Sequence, residues 1–391
     1  MFVLCFRFRS AWKVLLATLL VSLSAHAQSP ATIADQYSTS ERVKQKGWWP
    51  TKGDAPREDF VGSAVCAQCH SDVYASQKNT RMAQTSTPAV DSQLLRADDK
   101  DKVEFAQGPY TYQIAHTSQG ETYSVTDSKQ SITEILNWAF GTGNNGQSYL
   151  FNHGGNLYEA RMSYYRASGK FDLTPNHPLI AADTADKAVG RKISADEAPK
   201  CFGCHTTAST TSGKFAPEKA LPGVTCEVCH GPGATHVAMI KNGAREEGAG
   251  LVLNPAKLSP ADSVDFCGAC HRTWWDVNQE GLTGIGTIRF PAYRLEKSRC
   301  WGKGDARITC VGCHDPHQLL VKESASYDSR CLSCHVSTGA KSTADHPGAA
   351  CPVSTKDCAS CHMPQYEIPD MHTKFTDHMI RVVKKDAPFP D

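Results

Sequence analysis

The sequence predicts a fold in two parts. A β-rich block is inserted into a longer stretch of short helices and loops that has little apolar core of its own. Three observations carry this. The pattern C-x-x-C-H occurs seven times. Apolar residues make up only 40% of the chain, against the ~45–50% usual for globular proteins. Between the first and second copies of the pattern, polar and apolar residues alternate with the period of two that marks half-buried strands.

The chain opens like an export signal. Arg7, Arg9 and Lys13 precede the apolar run at 14–25, which is too short to span a bilayer, and Ala25-His26-Ala27 supplies a small-x-small cleavage pattern. Residues 1–27 are therefore expected to be removed, leaving a mature chain that starts at Gln28 and lies in the periplasm or outside the cell. No later run approaches ~18 apolar residues, so no transmembrane segment is expected. Removing the signal leaves 38 basic against 40 acidic residues, a balance that argues against a nucleic-acid partner. Residues 28–60 are polar and aperiodic and read as a leader or linker.

The first motif sits in a segment of its own, 61–90, with a helix expected over 71–84. The β-rich insertion is placed at 91–190. There "YTYQIA", "ETYSVT", "SYLF" and "LYEARMSYY" alternate, and "GTGNNG" and "NHGGN" supply turns. In the last strand pattern Tyr158, Ala160, Met162 and Tyr164 are expected on one face. Residues 191–391 hold the other six motifs, with a brief helical turn expected at each.

Seventeen cysteines in an exported chain are consistent with disulfides, zinc or covalent haem. Fourteen of them fall in the motifs: Cys66 and Cys69, Cys201 and Cys204, Cys226 and Cys229, Cys267 and Cys270, Cys310 and Cys313, Cys331 and Cys334, and Cys358 and Cys361. Positions i, i+3 and i+4 share one face of a helical turn. Two sulfurs can then take the two vinyl groups of one porphyrin while the histidine reaches under its iron. A zinc site needs four ligands and has no use for a histidine after every second cysteine. The reading is seven haem c groups, with proximal ligands His70, His205, His230, His271, His314, His335 and His362. Seven large apolar discs would replace an ordinary side-chain core, so the fold class is a multihaem cytochrome c: short α-helices and loops wrapped around stacked haems, with a β-rich insertion between the first and second motifs.

Seven irons call for up to seven distal ligands, and bis-histidine iron suits electron transfer without reaction. The candidates are His177, His236, His317, His346, His372, His378 and Met82. His317, three residues beyond His314, is too close to serve the same iron from the other side and is assigned to a neighbouring haem. His116 and His153 fall in strand patterns and read as structural. Cys300 and Cys351, the cysteines left over in the mature chain, are candidates for a disulfide. The basic stretch 289–307 suits haem propionates first and an anionic substrate second.

With these motifs in hand, the chain resembles the multihaem cytochromes related to the tetrahaem electron acceptor of hydroxylamine oxidoreductase. The resemblance rests on "VGSAVCAQCHSDVYASQKNTRMA", "GVTCEVCHGPGATH", "CVGCHDPH" and "CASCHMP…HTKFTDHMI" and covers most of residues 60–382. It implies distal roles for His236 and His378. Seven motifs instead of four, and Met82 where relatives place histidine, are departures. The function expected is an exported carrier of single electrons with no catalytic residues of its own, exchanging them with redox proteins or other cytochromes. The alternatives are an oxidoreductase acting on a small nitrogen or sulfur compound at one five-coordinate haem, and a subunit of an extracellular electron conduit that self-assembles.

Overall fold

The computed structural model describes residues 55–97, 103–298, 300–301, 308–335, 351–384 and 387–390. The export signal, most of the leader and His346 lie outside the described residues.

The alternating segments form one antiparallel sheet. Its strands are β1 (Ser86–Pro88), β2 (Val103–Gln107), β3 (Tyr110–Thr117), β4 (Gly120–Thr126), β5 (Ser131–Phe140), β6 (Gly146–His153), β7 (Asn156–Ala160), β8 (Met162–Tyr165), β9 (Lys170–Leu173) and β10 (Gly190–Lys192). The order is β10-β7-β6-β5-β4-β3-β2, with β1 on β5 and the β8–β9 hairpin attached through β6. The inward positions follow the pattern read from sequence: Tyr110, Tyr112 and Ile114 of β3 are buried, as are Tyr123 and Val125 of β4. Tyr112 stacks on Tyr123 at 6.4 Å, and Tyr123 meets Phe151 at 5.3 Å. Such contacts between large rings dominate the burial energy of a small sheet core.

The expected single strand through "LYEARMSYY" is instead two. Arg161 breaks it, and both Arg161 and Ser163 are buried with Met162. Tyr165 is buried and Tyr164 only half-buried, so the expected face slips by one residue beyond the break. The reason is a set of hydrogen bonds: the Arg161 guanidinium donates to the carbonyls of Pro178 and Ile180 and to the Gln107 side chain. A buried charge held by three acceptors outweighs a binary pattern. The helix expected over 71–84 runs only Ser71–Gln77.

The opposite face of β5 and β6 meets the second motif. Trp138, Phe140 and Leu150 pack with Phe202 inside "CFGCH". Phe140 and Phe202 lie 5.0 Å apart, and Trp138 meets Phe202 edge-on at 5.5 Å. The sheet thus supports that motif. Beyond it the chain is short helices, among them Ala198–His205, Cys226–His230, Ala234–Lys241, Pro260–His271, Pro291–Glu296, Cys310–Cys313 and Cys358–His362. No described helix is long and apolar enough to cross a membrane.

Candidate haem sites

Each motif whose backbone is described starts or ends on a helical turn, for local reasons. Ser259 caps Pro260–His271 by accepting the Asp262 amide, and Thr309 caps Cys310–Cys313 by accepting the Gly312 amide. The helix Ala198–His205 has proline in its first turn, where a missing N–H costs nothing.

The ring nitrogens are arranged with equal care. A carbonyl only accepts, so a ring nitrogen beside one carries the proton and leaves the other nitrogen with its lone pair. Nδ1 of His230 faces the Leu253 carbonyl at 2.7 Å, His362 that of Arg381 at 2.8 Å, and His205 that of Thr85 at 3.2 Å. Nδ1 of His236 faces the Gly248 carbonyl at 2.9 Å, and that of His378 the Thr376 carbonyl at 3.0 Å. His230, His236, His362 and His378 are thereby left with the lone pair on Nε2, the arrangement that metal-binding histidines use; His205 Nδ1 also meets the Thr85 hydroxyl at 2.9 Å. Burial also pushes His205, His271, His314 and His378 below the ordinary histidine range, His378 to about 4. The shift favours the neutral imidazole, the form that ligation requires.

Two histidine pairs test whether haem fits here. The rings of His230 and His317 face each other with centres 6.1 Å apart and planes within 7°. Those of His314 and His378 lie 6.2 Å apart at 48°. Imidazoles that bind one metal from opposite sides, each with a metal–nitrogen bond of about 2 Å, place their ring centres about 6 Å apart. The angle between planes is free, because each ring turns about its own bond. Both pairs have the spacing that one iron between them needs, and the paired thiols stand beside the proximal members.

The other candidates are placed differently. His177 is buried, with Nε2 3.4 Å from the Glu159 carboxylate and neither ring nitrogen in a hydrogen bond. His372 has a left-handed backbone (φ 48°), its ring lies edge-on to Tyr165 at 4.6 Å, and its Nε2 is 3.1 Å from Asp172. It meets the β8–β9 hairpin instead of a motif histidine. Met82 contributes its carbonyl to the Val224 amide, just ahead of the third motif. His116 and His153 bond to Glu121 and Glu134 in the sheet, as their strand positions suggested.

Cys300 follows the helix Pro291–Glu296, whereas Cys351 is exposed, its sulfur accepting the amides of Ser354 and Val353. Within the basic stretch, Arg294 is placed away from the role expected for the stretch. Arg294 is buried and gives a bidentate bond of 2.9 Å per arm to Asp377, with further contacts to the Pro390 carbonyl and the Phe389 ring. It is spent inside the protein and does not face a propionate.

Two of these positions went unread in the sequence. Burial works to raise the Asp377 carboxyl, but Arg294, the Met379 amide and Arg381 outweigh it and hold it below the usual range. Asp377 thus stays ionised next to His378. The second is Glu227, within "CEVCH", the one motif with a charged residue between its cysteines. Its buried carboxylate accepts the amides of Val61 and Gly62 at 2.8 Å and of Gly233 at 2.9 Å. It clamps the entry to the first motif onto the third. Gly223 assists with a left-handed backbone (φ 74°) pressed so close to Ala83 that a Cβ would strike the Ala83 carbonyl. Glu227→Ala is expected to leave three amides without their acceptor and to cost on the order of 3 kcal/mol at ~1–3 kcal/mol per lost partner. A denaturant melt of the holoprotein measures it; a change below about 0.5 kcal/mol would mean the amides find water.

Comparisons with known proteins agree with the chemistry. Residues 161–231 match the family model described as cytochrome c554 and c-prime, a span that contains the second and third motifs. The chain is 21% identical over 212 residues to the multiheme cytochrome MtrA of Shewanella baltica (strain OS185), a match covering 50% of this chain and 61% of that protein. A superposition on the outer cell wall cytochrome OcwA covers 83% of this chain and 80% of that one at 13% identity, with a TM-score of 0.46. None of these three matches bears on hydroxylamine oxidoreductase. The seven C-x-x-C-H motifs, two of them inside the cytochrome c554 match, together with the likeness to MtrA, support a place among the multihaem cytochromes of the c type.

Proposed function

We propose that this chain is an exported carrier that moves single electrons between seven covalently held haems, most of them ligated by two histidines, and hands them to other redox proteins. Haem c supplies a one-electron iron couple; everything else falls to the polypeptide. The cysteine pairs hold each group so that it cannot dissociate. Backbone carbonyls at Leu253 and Arg381 fix the tautomer of two proximal imidazoles, His230 and His362. His317 and His378 are the residues that would hold the third and fifth groups together with His230 and His314, and two imidazoles per iron would suit electron transfer without reaction. The observation that carries this reading is the pair of facing imidazoles at 6.1 and 6.2 Å. Its partners are expected among other cytochromes, consistent with the kind of protein the chain is similar to.

The test is a paramagnetic resonance spectrum of the oxidised holoprotein together with its intact mass. The expected result is a mass increase of seven haems and a ferric spectrum that is mainly low-spin. A mass equal to the bare polypeptide overturns the reading. A dominant high-spin signal that shifts on adding nitrite or hydroxylamine replaces the carrier with an enzyme.

A further inference from the structure

The motifs touch one another in a definite pattern. Cys66 of the first lies in thiol contact with Cys226 of the third, and Cys204 of the second with Cys270 of the fourth. Cys267 of the fourth meets Cys310 of the fifth, and Cys331 of the sixth meets Cys358 of the seventh. Independent atoms repeat these meetings. Cys226 Sγ is 3.4 Å from the Ser63 hydroxyl at the start of the first motif's helix, and Cys204 Sγ is 3.7 Å from the Ala269 carbonyl within the fourth. The Asp328 carboxylate, three residues before the sixth motif, accepts the amides of Asp357 and Cys358 at 2.7 and 2.8 Å. The helix Pro260–His271 packs on both Ala198–His205 and Cys310–Cys313. The Leu253 carbonyl beside His230 Nδ1 leads into the turn Pro255–Lys257, which packs on Pro260–His271, and the Tyr327 hydroxyl, one residue before the sixth motif's helix, lies 3.5 Å from Nδ1 of His314, which joins third to fourth and fifth to sixth.

A thioether sulfur sits on the edge of its porphyrin. Two such sulfurs from different motifs in contact therefore bring two porphyrin edges side by side. We propose that the seven haem sites form one through-path in the order first, third, fourth, fifth, sixth, seventh, with the second as a spur that joins at the fourth. The proposal rests on the haem reading above and adds the connectivity that reading leaves open. The fourth site is the junction. Its helix is the longest described, at 12 residues, and is buried over much of its length, so it is a rigid part of the interior. His271 also lies within electrostatic reach of both His205 and His314, its neighbours on the spur and on the path. The spur ends against the β-sheet, where Phe202 packs on Trp138 and Phe140. An electron on the second haem leaves the spur by way of the fourth. The Glu227 clamp holds the first step of the path, first to third, with a buried carboxylate that spans both motifs.

The test is to locate the irons in crystals of the holoprotein from anomalous diffraction at the iron absorption edge, and to assign each to its motif through the attached cysteines. The expected result is that the iron of 267–271 has those of 201–205, 226–230 and 310–314 as its three nearest neighbours. The iron of 66–70 is then nearest to that of 226–230. An iron of 201–205 nearest to any iron but the fourth, or of 66–70 nearest to any but the third, overturns the order and leaves the haem reading intact. Fewer than seven irons overturns the haem reading itself.

Discussion

Replacing Asp377 by asparagine is expected to cost about 3–5 kcal/mol of stability, because it leaves Arg294 as an unpaired buried charge. Both side chains are fully buried, and the pair joins the helix Pro291–Glu296 to the C-terminal segment 83 residues later. Ser298 Oγ donates to the His378 carbonyl and accepts the Ile380 amide, while Asp377 itself accepts the Met379 amide. The residue between Asp377 and Met379 is His378, so the ion pair acts as a positioning device for the ring that faces His314. Stability and ligation separate in a second variant. Changing Arg294 to methionine together with Asp377 to leucine removes both charges and is expected to recover much of the stability, as apolar replacements of buried pairs do. The precise seat of His378 goes with the lost bonds. Denaturant melts should therefore improve from D377N to the double variant, while a high-spin signal from the fifth iron persists in both. A low-spin spectrum in the double variant would show that Ser298 alone suffices to seat His378.

The second large effect is expected at His317. His317→Ala should convert one iron, that of the third motif, from low to high spin while all seven haems stay attached, since the thioethers are untouched. His317→Met should keep it low-spin and raise its potential, as methionine ligation does relative to histidine, by some part of the ~0.8 V that axial ligands span across haem proteins. Paramagnetic resonance and a spectroelectrochemical titration read the two outcomes. An unchanged spin count in His317→Ala would remove His317 from the ligand set. His153→Ala serves as the control: its ring bonds to Glu134 within the sheet, and no iron should change.

In "CHDPH" the ring of His314 lies beside that of His378, and the ring of His317, three residues on, beside that of His230. The sequence made this foreseeable in kind, since a histidine three residues on cannot turn back to the same metal. It did not indicate which neighbour it would meet. The sheet shows the same division. Its strands were legible from alternation in "YTYQIA" and "ETYSVT", yet the break at Arg161 was not, because the acceptors that hold the guanidinium come from Gln107 and the 178–180 loop. His372, a distal candidate that would have to fold back onto an earlier haem, lies against Tyr165 and Asp172, some two hundred residues back.

What the amino-acid sequence determined alone is the chemistry that rests on short spacing: seven sets of two thiols and an imidazole, each within one helical turn, and the period-two pattern of the insertion. These depend on neighbours a few residues apart, and local backbone geometry is enough to bring them together. The tertiary structure decided every relation across long separations: which imidazoles lie beside each other, that Glu227 binds the first motif to the third, and that Arg294 is consumed by Asp377. Such pairings depend on how burial and hydrogen bonding are satisfied over the whole chain at once, and no stretch of sequence carries that information by itself.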